Sequence, residues 1–200
     1  MKTKLLILLS VFYLGITTQI NAQKKVAVTT FWVNKHIGFE QLGGNTAALA
    51  AAILSLSDDP NFNLQPVLDN FYNTFTKDYA EQFPFELMKE EDVIKTEAYQ
   101  NYETRWGEGN DKDRNKLFQR YLTPEGYKPM MESLRNKGEN SNTMQMIKMF
   151  PDADGIMFVT MGYEFVKKPV PFTAGVQAYI KIKLWNKEAK RVFVIHEFGT

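Results

Sequence analysis

The sequence contains no cysteine and only two histidines, His36 and His196. Without thiols the chain has no disulfide, no thiolate metal ligand and no cysteine nucleophile. The two histidines are 160 positions apart and form no HExxH or similar zinc spacing. Charge of one sign is missing too. There are 24 Lys and Arg residues against 23 Asp and Glu. Lys2 and Lys4 lie in the first 22 residues, and removing them shifts the net charge from +1 to −1. A chain so balanced has no overall field to attract nucleic acid or an anionic membrane, so no nucleic-acid partner is expected. Gly-x-Ser-x-Gly is absent, and the serines after residue 22 have no histidine beside them in sequence to act as base.

Long apolar runs are absent after the first 22 residues, and those residues follow a known plan. Lys2 and Lys4 precede an apolar stretch over 5–16, then a short polar stretch ends at Ala22, with Ile20 two positions before it. The apolar stretch is shorter than the about 20 residues a bilayer-crossing helix needs. It therefore reads as a signal peptide cleaved after Ala22, with no membrane span once it is removed and no cysteine there to carry a lipid. The expected location is the periplasm or the cell exterior. Residues 23–200 are the size of a single domain.

Within that domain the pattern predicts a mixed α/β fold, with α+β character. Residues 26–33 (VAVTTFWV) are β-branched and aromatic, as in a strand buried on both faces. Small residues over 46–54 predict a closely packed helix after Gly43-Gly44-Asn45. Pro66 opens a second helix, in which Val67, Phe71, Phe75 and Tyr79 recur every four residues. A short strand is expected over 85–88, an acidic helix start at Glu90, Glu91 and Asp92, a helix over 113–122, and a Met-rich helix over 143–150. The last third holds the strands. Residues 155–165 form one. Val176, Ala178, Ile180, Ile182 and Leu184 then alternate with Gln177, Tyr179, Lys181, Lys183 and Trp185, the period-two pattern of an antiparallel strand with one buried face. A turn over 186–190 leads into a strand over 191–198. This predicts a mixed sheet with helices packed on it, a C-terminal antiparallel hairpin, and no closing helix after it.

Sites of chemistry are weighed against their ordinary structural roles. Asp111, Asp113 and Asn115 match the first three ligand positions of an EF-hand, but Lys116 and Leu122 stand where that loop needs Gly and a bidentate Glu. Asp152 and Asp154 form a shorter acidic turn. Seven of nine Met residues lie between Met130 and Met161, without a dense Met-x-x-Met repeat, and read as core filler, not as copper ligands. Gly43-Gly44-Asn45 lacks the Lys-Ser/Thr ending of a phosphate loop. Glu86, Glu90 and Glu91 are carboxylates of the kind glycoside hydrolysis pairs, and read as a charged helix start. The expectation is no catalytic residue, no metal and no cofactor. Two surfaces remain as binding candidates. Asn34, Lys35 and His36 follow the end of the first strand, where open α/β sheets place ligands. Tyr179, Lys181, Lys183 and Trp185 make a basic-aromatic face on the hairpin.

The export signal, the strand KVAVTTF (25–31), the phrase DADGIMFVT (152–160) and the hairpin YIKIKLWNKEAKRVF (179–193) come in an order that resembles one family. It is the α/β domain shared by curli-secretion-channel (CsgG-like) proteins, LpoB-like activators of penicillin-binding proteins and the N-terminal domain of TolB. The hairpin departs from the family pattern, with Asn186 where Asp is common and Ala189-Lys190 where Thr-Gly is common. The resemblance covers the first strand and about residues 150–198, and its motifs are structural. It implies a non-enzymatic envelope protein acting as an interaction or assembly module whose partners are other envelope proteins. The alternatives are a small-ligand or cell-wall polysaccharide binder, using residues 34–36 or the hairpin, and a hydrolase.

Overall fold

The computed structural model describes residues 24–38, 59, 61–104, 120–132, 138–167 and 174–199. The proposed signal peptide, the helix expected over 46–54 and the acidic run 111–115 lie outside them. The described elements are β1 (Lys25–Gly38), α1 (Gln65–Thr74), β2 (Glu86–Leu87), α2 (Glu97–Gln100), β3 (Tyr121–Leu122), α3 (Asn142–Met149), β4 (Gly155–Lys167), β5 (Ala174–Asn186) and β6 (Arg191–Phe198). Among these, no helix is long and apolar enough to cross a membrane.

The strands form one mixed sheet in the order β2-β1-β4-β5-β6, with β3 pairing β1. β1 runs parallel to β2 and β4, while β4, β5 and β6 are successively antiparallel. Residues Val26 to Val33 are buried without a break, as their unalternating β-branched and aromatic run suits in an interior strand. A bulge at Thr29 changes the phase of that strand. Val28 pairs with Met157 and Thr30 with Phe158, so the chain spends one extra residue there. Val28 and Phe31 therefore share one face of the sheet, and Thr30 and Trp32 the other. The Thr29 carbonyl accepts the Tyr99 hydroxyl at 2.9 Å, and that oxygen in turn accepts the Lys128 amide at 2.9 Å.

α1 covers the Phe31 face. Pro occupies its first turn, where a missing N–H costs nothing. Phe71 and Phe75 each lie 5.4 Å from the Phe31 ring, and Tyr72 meets it edge-on at 5.1 Å. Val67 and Tyr79, expected on this face, are exposed. A repeat of four drifts about 40° per step on a helix of 3.6 residues per turn, so its two ends rotate out of the packed stripe. Leu68, buried completely, fills the place instead. The helix also widens into a π-turn over Phe75–Tyr79 and closes with a 3-10 turn over Ala80–Gln82.

Three other expectations change. The strand around residue 86 is only two residues long, and the acidic run Glu90–Asp92 is a single 3-10 turn. Tyr121 and Leu122, expected to end a helix, are strand residues opposite Asn34 and Val33, and the rest of that helix lies outside the described residues. The Met-rich helix forms as expected, capped by Ser141 Oγ, which accepts the Met144 amide at 3.2 Å. Met130, Met146, Met157 and Met161 are core residues.

Candidate functional site

The C-terminal hairpin carries the candidate surface, and the structure divides it in two. Strand register places Tyr179, Lys181, Lys183 and Trp185 on the Thr30 and Trp32 face, opposite Gly162, Thr160, Phe158 and Ile156. The segment 127–132 crosses this face from β1 to β5. It is anchored at β1: Thr30 Oγ1 donates to the Lys128 carbonyl at 2.7 Å and accepts the Met130 amide at 3.1 Å. The Trp32 indole N–H donates to the Met130 carbonyl at 3.0 Å. At its far end Glu132, whose side chain is only 4% exposed, forms an ion pair with Lys183 and lies 3.9 Å from Arg191.

That crossing removes half of the expected basic-aromatic face. The Lys183 side chain keeps 17% of its exposure and Trp185 keeps 8%. Burial, and then the positive charge of Arg191, push the Lys183 ammonium below the usual lysine range. Lys183 and Trp185 are therefore packed residues here and offer little to a partner. Both strand patterns look alike in sequence, because the carboxylate that covers one end comes from a segment about 50 residues away.

The outer half stays open and gains two residues from β6. His196 is opposite Lys181 and Phe198 opposite Tyr179. The His196 ring lies 4.7 Å from Phe198 and 5.4 Å from Tyr179, and Lys181 Nζ is 5.9 Å from the Tyr179 ring centre. The Tyr179 ring lies over Gly162, where a Cβ would be 2.8 Å from Tyr179 Cε1, so the glycine gives the aromatic ring its bed. Burial, then the nearby Lys181 charge, lowers the His196 pKa below its ordinary value, and the carboxylates of Glu164 and Glu197 oppose this. At neutral pH the positive charge among these four residues is therefore that of Lys181. Phe198 and Val194, on the same face, are exposed.

Asn34, Lys35 and His36 do not follow the end of the first strand. β1 continues to Gly38, and these three half-buried residues make a bulge between the pairs Val33–Met161 and Ile37–Tyr163. Asn34 Oδ1 accepts the His36 amide at 2.9 Å, and the Lys35 amide donates to the Arg120 carbonyl at 2.9 Å. Hydrogen bonds thus occupy the backbone that the sequence places at a ligand-binding edge. Register sets the bulge at the level of Tyr179, with β4 between them.

A second feature is a cleft of about 540 Å³ beside α1. Gln65, Asp69, Tyr72, Asn73, Glu90 and Glu125 line it, and among the described residues no basic side chain does. The Tyr72 hydroxyl donates to Glu90 Oε1 and lies 3.3 Å from the Tyr127 hydroxyl. Burial first, then Tyr127 and the Glu90 bond, raise the Tyr72 pKa far above the phenol range. Burial pushes the Tyr127 pKa up to about 12. Both tyrosines are neutral hydrogen-bond groups at ordinary pH, so neither supplies a phenolate. The cleft offers carboxylate and amide groups to amines or hydroxyls.

Among the described residues no group of three or more metal-ligating side chains converges. Asp154, half of the acidic turn, is a clamp. Its Oδ2 accepts the Lys25 amide at 2.9 Å and its Oδ1 lies 3.5 Å from Lys187 Nζ. The Lys25 amide is the main cause holding this carboxyl below the usual aspartate range.

No family model, curated protein or solved structure matches the chain.

Proposed function

We propose that this chain is an exported, non-enzymatic envelope protein that acts as an interaction or assembly module. Tyr179, Lys181, His196 and Phe198 are its contact surface. One observation carries the reading. The outermost hairpin presents three rings and a lysine together, on the part of the face that segment 127–132 leaves uncovered. Aromatic groups beside a cation suit a protein partner with an acidic or aromatic patch. The resemblance to the CsgG, LpoB and TolB N-terminal domains supports the same reading through its sequence motifs alone. Affinity capture from an envelope extract tests it. Lys181→Glu should release a protein that the unaltered chain retains, and equal retention removes this surface. The export half has its own test. A chain beginning at Gln23 outside the cytoplasm supports it, and a chain still beginning at Met1 inside removes it.

The acidic cleft favours a second reading, a binder of cell-wall fragments or another small ligand rich in hydroxyls or amines. In that case cell-wall fragments raise the melting temperature of the chain, and Glu90→Gln abolishes the shift while Lys181→Glu leaves it.

A further inference from the structure

We infer that Glu132 is a built-in stand-in for an acidic group of the partner. A carboxylate on an extended acidic segment of that partner displaces Glu132 from Lys183. The contact face then runs on from Tyr179 and Lys181 to Lys183 and Trp185. This rests on the module reading and deepens it, by naming the partner's chemistry and the group that keeps half of the surface closed.

Two positive charges share one carboxylate at the covered end of the face. Lys183 and Trp185 lie on the same face of β5, and register sets Arg191 opposite Trp185. Glu132 pairs with Lys183 and lies 3.9 Å from Arg191, whose side chain is 45% exposed. With Glu132 turned away, Lys181, Lys183 and Arg191 stand on one face. Among the described residues of β4, β5 and β6, the carboxylate sharing that face is Glu164, opposite Gln177 at the far end. The uncovered face is therefore positive, and its rings are those of Tyr179, Trp185 and Phe198. Charge complementarity selects an acidic occupant with apolar side chains between its carboxylates.

The covering segment is held unevenly. Thr30 and Trp32 bond to residues 128 and 130, and Asn142 Nδ2 donates to the Met131 carbonyl at 3.0 Å. Beyond Met131 the hold is the ion pair of the Glu132 side chain. Both Glu132 carboxylate oxygens and the Trp185 indole nitrogen are buried without a hydrogen-bond partner. They are three of the four such side-chain atoms among the described residues. An ion pair taken out of water repays its desolvation when hydrogen bonds complete it, and here they do not. A partner carboxylate that bonds Lys183, Arg191 and the Trp185 N–H together completes the set, while Glu132 regains water. The residues anchored to β1 and α3 stay in place, and the Glu132 end moves.

Zero-length carbodiimide coupling tests this on the unaltered chain. Alone, the chain should form an amide between Glu132 and Lys183. With a short peptide of alternating glutamate and phenylalanine as probe, that bond should give way to one between Lys183 and the peptide. Glu132→Gln should bind the peptide about tenfold tighter or more, as when the open form is a minor state, with an unchanged circular dichroism spectrum. A pair that merely holds the fold together gives no such gain. Glu132→Met combined with Lys183→Met keeps that end closed by packing and should bind no tighter than the unaltered chain. Lys181→Glu tells the two readings apart. If it abolishes binding while Glu132→Gln gains nothing, the outer surface stands and the stand-in falls. Glu132–Lys183 coupling that saturating peptide leaves unchanged overturns the inference, and so does a Glu132→Gln chain that fails to bind the peptide.

Discussion

The ring of Tyr179 lies across Gly162, the residue directly opposite it on β4. The glycine has no side chain of its own to cover the sheet there, and the ring from the next strand does so. This contact fixes the Tyr179 orientation and through it the group with His196 and Phe198. Gly162→Ala should displace the ring and cost about 1–3 kcal/mol, the usual range for forcing an added group into a packed site. The loss should shrink when Tyr179→Ala is present as well, and urea unfolding of the four proteins measures this.

Glu132 and Lys183 form a pair that is little exposed. Removing one partner strands the other charge away from water. Glu132→Gln should cost about 3 kcal/mol, the lower end for a buried pair because Lys183 keeps some exposure. Joint replacement of Glu132 and Lys183 by Met should cost much less, since no charge is then stranded. Loss of the Glu132 anchor should also speed hydrogen exchange at the Met130 amide, because the covering segment is released at one end.

Tyr72, Tyr99 and Tyr127 have pKa values raised chiefly by burial, Tyr127 to about 12. The unfolded chain releases these protons near pH 10, while the folded protein still holds them. Above that pH the folded state binds more protons, so stability falls as pH rises. The contribution is complete below about pH 10, and for Tyr127 it is lost as pH climbs toward about 12. Tyr99 and Tyr127, the two well-buried ones, each add a slope of up to about 1.4 kcal/mol per pH unit in that window, and the more exposed Tyr72 adds less. Tyr127→Phe should remove one such increment from the pH dependence of the urea midpoint.

Ala189, in the turn between β5 and β6, has a φ of 55°. The left-handed region is costly for any residue with a Cβ. Ala189→Gly should therefore raise stability by about 0.5–1 kcal/mol, because the relief of the left-handed strain exceeds the added freedom of the unfolded chain. A rise in the thermal midpoint with an unchanged spectrum is the expected result. A fall would mean the unfolded-chain term dominates.

Much of the fold is legible in the amino-acid order because burial writes its period there. The β-branched and aromatic run of β1, the alternation of β5 and the Pro66 start of α1 each announce an element and a face. Long-range packing leaves no such trace. Nothing near Thr29 announces a bulge, because the bulge exists to meet Tyr99, 70 residues later. Likewise, nothing around Glu132 shows that it will cover Lys183 and Trp185. The two candidate surfaces fared accordingly. Tyr179 and Lys181 lie where period two puts them, on the open half of the face. His196 and Phe198 were within reach of sequence reasoning, since a turn over 186–190 folds β6 back and sets them beside Lys181 and Tyr179. Residues 34–36 were misplaced because the strand carries on past them through a bulge, which has no periodicity to read.

The central claim is that the open half of the hairpin face touches another protein, and a photo-cross-linking side chain placed at Phe198 tests it most directly. In cells, the account predicts an adduct whose mass is not that of two copies of the chain, lost with Lys181→Glu and absent when the same group replaces the exposed Val67 on α1. No adduct from position 198, or the same adduct from position 67, would contradict it.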